Sequence, residues 1–207
     1  MRGVFPGAAA LAAAPLLCVR AAALAAALLV SIPAAAADAA RGRVLAEACA
    51  ACHGPDGNST IDLHPSLAGQ QPVFLTLQMI LFREGIRSFG PMNEAMKGIA
   101  DSDIEALSAF YAGQTLRHVP PPRNEAKATR GAVLSERHRC GICHLPGYVG
   151  QNQVPRLAGQ REEFLLHAMQ EYQSGRRQGT DTQMNAALYG LTDQDLADIA
   201  HYIALVP

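Results

Sequence analysis

Two short segments hold residues that could do chemistry. Cys49-Ala50-Ala51-Cys52-His53 and Cys140-Gly141-Ile142-Cys143-His144 are two copies of C-x-x-C-H, the pattern through which haem is attached covalently to a chain. Cysteines three residues apart lie on one face of a helical turn. Each sulfur can form a thioether with one haem vinyl group, and the next residue offers its imidazole to the iron. Zinc is the competing reading, because each motif supplies two Cys and one His. A His adjacent to a Cys is badly aimed at the same ion, however, and zinc sites use spaced histidines. A thioredoxin-like redox pair explains one C-x-x-C but not two copies ending in His. The expectation is two covalently bound haem c groups, with iron held by His53 and His144.

The sixth iron position decides what such a centre does. A Met ligand gives a six-coordinate electron carrier, whereas an open position permits chemistry on small molecules. Two methionine pairs recur along the chain: Met79 with Met169, 90 residues apart, and Met92 with Met184, 92 apart. Met79 and Met169 fall inside an apolar helical stretch, where Met is usually a gap-filler. Met92 and Met184 fall in Gly-, Pro- and Asn-rich connections that can fold over a haem face, so they are the expected axial ligands. Met96 has Leu188 as its counterpart and reads as packing. His64, His118, His138, His167 and His201 pair with nothing at a matching spacing and read as surface or helix-face histidines. Pro65 and Pro155 follow the two motif histidines by 12 and 11 residues, where a backbone carbonyl could accept the imidazole Nδ1–H and orient the ring.

The elements that must position these residues repeat as well. Arg41-Gly42-Arg43-Val44-Leu45 is echoed by Arg130-Gly131-Ala132-Val133-Leu134, and Pro65-Ser66-Leu67-Ala68-Gly69-Gln70 by Pro155-Arg156-Leu157-Ala158-Gly159-Gln160. Such self-similarity marks a duplicated unit. Each copy reads as helical: a short helix into the haem motif, a second near residues 73–83 or 162–173, and a third closing the unit. In the third, Ile104, Leu107 and Tyr111, matched by Leu196, Ile199 and Ile203, form one apolar stripe. Thr192 with Asp195 gives that helix a start signal. Ala100 cannot cap its counterpart, which leaves Asp101 or Ser102 for the task. Nothing alternates with a period of two, so the fold class is all-α. Residues 38–115 form the first domain, 116–128 a stiff linker around Pro120-Pro121-Pro122, and 129–207 the second domain.

Composition fits this division. The 207 residues are 49% apolar with no Trp, but much of that apolar content is alanine and leucine in residues 1–37. Arginines, an apolar run and Ala35-Ala36-Ala37 before Asp38 read there as an export signal removed in the mature protein, with an uncleaved anchor as the competing reading. Each remaining unit is near the lower size limit for a protein-only core. The haems are the expected missing core volume, so the haem-free form is expected to be largely unfolded. The first half after the signal carries 5 basic against 9 acidic residues and the second 10 against 9. That balance speaks against a nucleic-acid partner and could orient docking.

On the two haem motifs, the P-x-L-A-G-Q segments, Met92 and Met184 and the acidic start of the last helix, residues 41–207 resemble the cytochrome c4 family of diheme c-type cytochromes. The resemblance implies two class I cytochrome c domains, each of about three main helices around one haem, packed across a pseudo-two-fold interface. Cys49, Cys52, His53 and Met92 would serve one haem, and Cys140, Cys143, His144 and Met184 the other. It also implies a periplasmic electron carrier delivering to a terminal oxidase or another respiratory acceptor, with redox proteins as partners and a peripheral membrane association as a further one. Related modules serve as cytochrome subunits of flavin-dependent sulfide dehydrogenases and of alcohol dehydrogenases. A diheme peroxidase or thiosulfate oxidoreductase is the enzymatic alternative, disfavoured by a Met in both copies.

Overall fold

A computed structural model describes residues 34–177 and 183–207, with side chains from residue 38. The expected export segment, residues 1–37, lies almost wholly outside the described residues. Among those described there is no strand, only an isolated bridge between Gln151 and Val154, and no helix is long and apolar enough to cross a membrane.

The first half is built from α1 (Ala34–Leu45), a 3-10 turn (Ala46–Cys49), α2 (Ala50–His53), α3 (Pro72–Arg83), α4 (Gly90–Met96) and α5 (Asp101–Ala112). The second repeats the helix order, with its 3-10 turn after rather than before the motif helix: α6 (Glu125–Arg137), α7 (Cys140–His144), the turn (Pro146–Tyr148), α8 (Glu162–Gln173), α9 (Gln183–Ala187) and α10 (Asp193–Ala204). The helices leading into the haem motifs are the longer kind, 12 and 13 residues, rather than the short ones expected. In each half the first helix crosses the last, and the third-helix stripe faces the core. Ile104, Leu107 and Tyr111 are buried in one cluster, and Leu196, Ile199 and Ile203 in the other.

The repeated Arg-Gly pair explains that crossing. A Cβ on Gly42 would stand 2.0 Å from the Ala106 carbonyl oxygen, and one on Gly131 2.0 Å from that of Asp198. Only glycine lets the two backbones approach so closely.

The capping expectations divide. Thr192 accepts from the Asp195 amide at 3.2 Å while the Asp195 carboxylate accepts from the Thr192 amide at 2.9 Å, a complete capping box. Neither Asp101 nor Ser102 caps α5: Ala100 is the N-cap residue and brings no side-chain bond. Arg83 ties that end down, donating to the Ile99 carbonyl at 3.0 Å and to Asp101 at 2.6 Å.

The extended stretch between the halves is shorter than expected, because α6 already begins at Glu125, capped by the Asn124 side chain. It is also held on both sides. Asn58 accepts from the Arg117 amide at 2.7 Å and donates to the Thr115 carbonyl at 3.0 Å. His118 bonds the Ala204 carbonyl at 2.9 Å, and the Asn124 amide donates to His201 Nε2 at 3.0 Å. His201, expected on a surface or helix face, is only 3% exposed and bonds Glu162 through Nδ1 at 2.9 Å. It is a buried linker anchor, a role invisible in the sequence because Glu162 and Asn124 lie far from it along the chain.

Candidate functional site

Both motif histidines sit at the C-terminus of a one-turn helix and are buried, each 6% exposed. The turn ends because Gly54 takes a positive φ of 79° in the first half. In the second, Leu145 occupies the corresponding place at φ 66°. The expected proline contacts are present. His53 Nδ1 bonds the Pro65 carbonyl at 3.0 Å, and His144 Nδ1 bonds that of Pro155 at 2.9 Å. With Nδ1 engaged, Nε2 is the free ring nitrogen in each case. Burial lowers both imidazole pKa values, and the proline carbonyls only partly oppose this. The rings are therefore held neutral, the form that ligates metal.

The four motif cysteines lie at the rim of the same space, and no two of them are joined in a disulfide. They border a single cavity of about 1290 Å³ that is also lined by His53, His144, Met92 and Met184. It exceeds the ~300–1,000 Å³ of ordinary small-ligand pockets, as two porphyrins require. The donor set fits haem: a sulfur pair, a neutral oriented imidazole and a thioether border the space in each half. Tyr111 Oη adds to the fit, being buried at the cavity with only the Cys49 thiol beside it. Among the described residues no group of three or more His, Cys, Asp or Glu could hold a metal ion instead.

The methionines are placed differently from the expectation in one respect. Met92 and Met184 lie not in irregular loops but in the short helices α4 and α9. Pro91 is tolerated because it occupies the first turn, where its missing N–H costs nothing. Both methionines pack, partly buried, against their core clusters. Met79 and Met169 are core residues, 9% and 7% exposed, and Met96 is buried at 3%, as the sequence suggests for gap-fillers.

Two positioning devices and one asymmetry between the halves lie beyond the sequence expectations. The first is the asparagine following each ligand candidate. Asn93 donates to the carbonyls of Phe82 at 2.7 Å and Arg87 at 2.9 Å, and Asn185 donates to the Tyr172 carbonyl. Each pins the methionine helix to the end of the preceding long helix, and the repeated Met-Asn pair was the available signal.

The second device crosses between the halves. Gln160 accepts from the Ser66 amide at 2.8 Å and donates to the Ser66 carbonyl at 3.0 Å. Gln70 does the same to Arg156, at 2.7 and 2.9 Å. Ser66 and Arg156 directly follow the two prolines that orient the histidines. Each half thus clamps the backbone beside the other half's motif imidazole, with both glutamines buried. The repeated P-x-L-A-G-Q segment carried this signal without revealing that its last residue acts across the interface.

The third is a difference. His64 places its ring 6.2 Å from that of His53 and 6.4 Å from Phe89. The matching residue of the second half is Val154.

The Cytochrome c family profile matches residues 39–113 and again 128–206. Over 184 residues the chain is 32% identical to cytochrome c4 of Azotobacter vinelandii, covering 80% of this chain and 88% of that protein. The chain belongs to the diheme cytochrome c4 family. The crystal structure of reduced recombinant cytochrome c4 from Pseudomonas stutzeri superposes with a TM-score of 0.76 at 25% identity, covering 82% of this chain and 98% of that one. A thiosulfate dehydrogenase from Marichromatium purpuratum, in its as-isolated form, matches with a TM-score of 0.74 at 33% identity over 82% of this chain but only 40% of that one. As a member of the family, the chain is an all-α electron-transfer protein of two tandem cytochrome c domains with covalently attached haem c, not an enzyme in its own right.

Proposed function

We propose that Cys49, Cys52, His53 and Met92 hold one haem and Cys140, Cys143, His144 and Met184 the other, in an exported carrier that works in the periplasm and passes electrons to a terminal oxidase or another respiratory acceptor. The observation that carries the ligand assignment is its duplication. In both halves a buried neutral imidazole, fixed through Nδ1 by a proline carbonyl, shares a cavity with a cysteine pair and a methionine anchored by the next asparagine. When bound, haem supplies a one-electron ferric/ferrous couple. The chain's own residues set its surroundings: the proline carbonyl raises imidazole basicity, the thioether favours the ferrous form, and burial excludes water.

An optical spectrum with a redox titration tests the assignment. Two haems per chain, each with a sulfur-to-iron charge-transfer band, are expected, and the Met92→Ala and Met184→Ala variants should each lose one band and lower one midpoint potential. A high-spin signal at one haem of the parent protein would overturn the pure carrier reading. A second reading, the electron-accepting partner of a dehydrogenase, is favoured by the thiosulfate dehydrogenase match, in which a module of this size forms part of a longer chain. Co-purification with a dehydrogenase subunit would support it, and faster reduction by a free soluble donor would support the carrier.

A further inference from the structure

The two glutamines that cross between the halves end on the same peptide groups that hold the motif imidazoles. The Pro65 carbonyl accepts from His53 Nδ1–H at 3.0 Å. The N–H of that same peptide group belongs to Ser66, and it donates to Gln160 Oε1 at 2.8 Å. The second half is built alike. The Pro155 carbonyl accepts from His144 Nδ1–H at 2.9 Å, and the N–H of its peptide group, from Arg156, donates to Gln70 Oε1 at 2.7 Å. Each motif imidazole is therefore joined to the opposite half through one peptide group and two hydrogen bonds in series.

The orientation of each carboxamide is settled by its neighbours. Gln160 Oε1 also accepts from the Arg161 amide at 3.1 Å, and Gln70 Oε1 from the Gln71 amide at 2.9 Å. Two N–H donors aimed at one atom require an oxygen there, which places Nε2 on the carbonyls of Ser66 at 3.0 Å and Arg156 at 2.9 Å. Ser66, Gln70 and Gln160 are all buried. The Arg156 guanidinium adds a further hold on the first half, donating to the carbonyls of Ala68 at 2.6 Å and Gly69 at 3.1 Å. The chain of bonds is thus both fixed in direction and shielded from water.

Hydrogen bonds in series polarise one another, by about 10–30% per bond in condensed phases. An N–H that donates pushes electron density toward its own carbonyl oxygen, and that oxygen then draws harder on the imidazole Nδ1–H. A firmer bond at Nδ1 makes the metal-facing Nε2 more basic, and a more basic ligand favours ferric over ferrous iron. We propose that Gln160 is a positioning residue that tunes the haem centre of the first half, and Gln70 that of the second, each acting on the opposite imidazole through the intervening peptide group. The proposal rests on the haem assignment above. It gives the repeated P-x-L-A-G-Q segment two tasks: its proline serves the histidine of its own half, and its glutamine serves that of the other. Neither midpoint potential is then a property of one half alone.

The test is a redox titration of the full holoprotein carrying Gln160→Leu or Gln70→Leu, with the two haems told apart by NMR of the ferrous form. Gln160→Leu removes the acceptor from the Ser66 amide. The midpoint of the first haem should therefore rise more than that of the second, and the His53 Nδ1–H resonance should move upfield while that of His144 holds. Gln70→Leu should do the reverse. Gln160→Glu, in its ionised form, keeps an acceptor on the Ser66 amide and strengthens it. Here the first midpoint should fall below the parent value and the His53 resonance should move downfield, a result that decides the matter even if the Leu variants fail to take up haem. Equal shifts of both midpoints, a shift confined to the haem of the substituted half, or Nδ1–H resonances that stay in place would overturn the relay. Haem content and the sulfur-to-iron bands of the parent protein report separately on the ligand assignment.

Discussion

The two halves of this cytochrome are the same machine with different reinforcement. Both keep the glycine that lets the first helix cross the last, the proline carbonyl on the motif imidazole, the Met-Asn pair, and the glutamine that reaches across. They diverge outside these shared devices, in the scaffold and in part of the cavity wall. The second half closes its last helix with a capping box and buries Asp198 against Arg130, with bonds of 2.6 and 3.1 Å. The first has alanine at both corresponding places, Ala100 and Ala106, and relies on the half-buried pair of Arg41 with Asp103. In return the first half supplies His64, Tyr111 and Gln78, where the second has Val154, Ile203 and Ala168. The attachment residues and the glutamines that join the halves are duplicated, while the caps, a buried ion pair and part of the cavity wall have drifted.

The largest effect should come from removing one attachment site. With Cys140→Ser and Cys143→Ser together, the second half should lose its haem and its helical signal while the first retains both, read by haem stoichiometry and circular dichroism. A unit this small lacks core volume without the porphyrin. Loss of structure in both halves would show instead that the interface glutamines make folding a joint event. Next in size are Gly42→Ala and Gly131→Ala, each forcing a Cβ against a backbone oxygen 2.0 Å away. Each should cost about 3 kcal/mol, the upper part of the overpacking range, in chemical denaturation. Equal losses would support the shared crossing, and unequal ones would rank the halves.

A smaller difference should appear in acid. Arg130 holds the Asp198 carboxyl below the ordinary carboxylate range. Its contribution is therefore complete above the unfolded value of ~3.9 and is lost as pH falls through the lowered folded value. Asp198→Asn should destabilise the second half by about 2 kcal/mol near neutrality and flatten that part of its acid profile. The first half, with Ala106 there, should show no such component. The smallest effect concerns the caps: Thr192→Ala should cost about 1 kcal/mol, and Ala100→Thr should gain somewhat less, both visible as shifts in thermal midpoint.

Much of this was legible because the chain states its plan twice. The C-x-x-C-H motifs, the proline spacing and the third-helix stripe each depend on residues near one another in sequence, and each has a counterpart about 90 residues on. The second-half helix expected at residues 162–173 is α8, Glu162–Gln173. The errors came from reading polarity as irregularity. Gly90-Pro91 and the asparagines suggested loops, yet Pro91 suits a helix start and Asn93 bonds the Phe89 amide at 2.7 Å, closing that start. His201 looked exposed because its partners, Glu162 and Asn124, are distant in the chain.

The sequence alone determined the fold class, the two haem motifs, the proline support and the pairing of Met92 with Met184, since local spacing and repetition suffice for these. Only the tertiary structure decided that Gln70 and Gln160 exchange partners between halves, that Tyr111 Oη sits orphaned beside Cys49, and that Arg87 and Arg177 converge on Gln78. Those contacts join residues from different elements, most of them from different repeats, and no local pattern encodes which surfaces two copies of a unit turn toward each other.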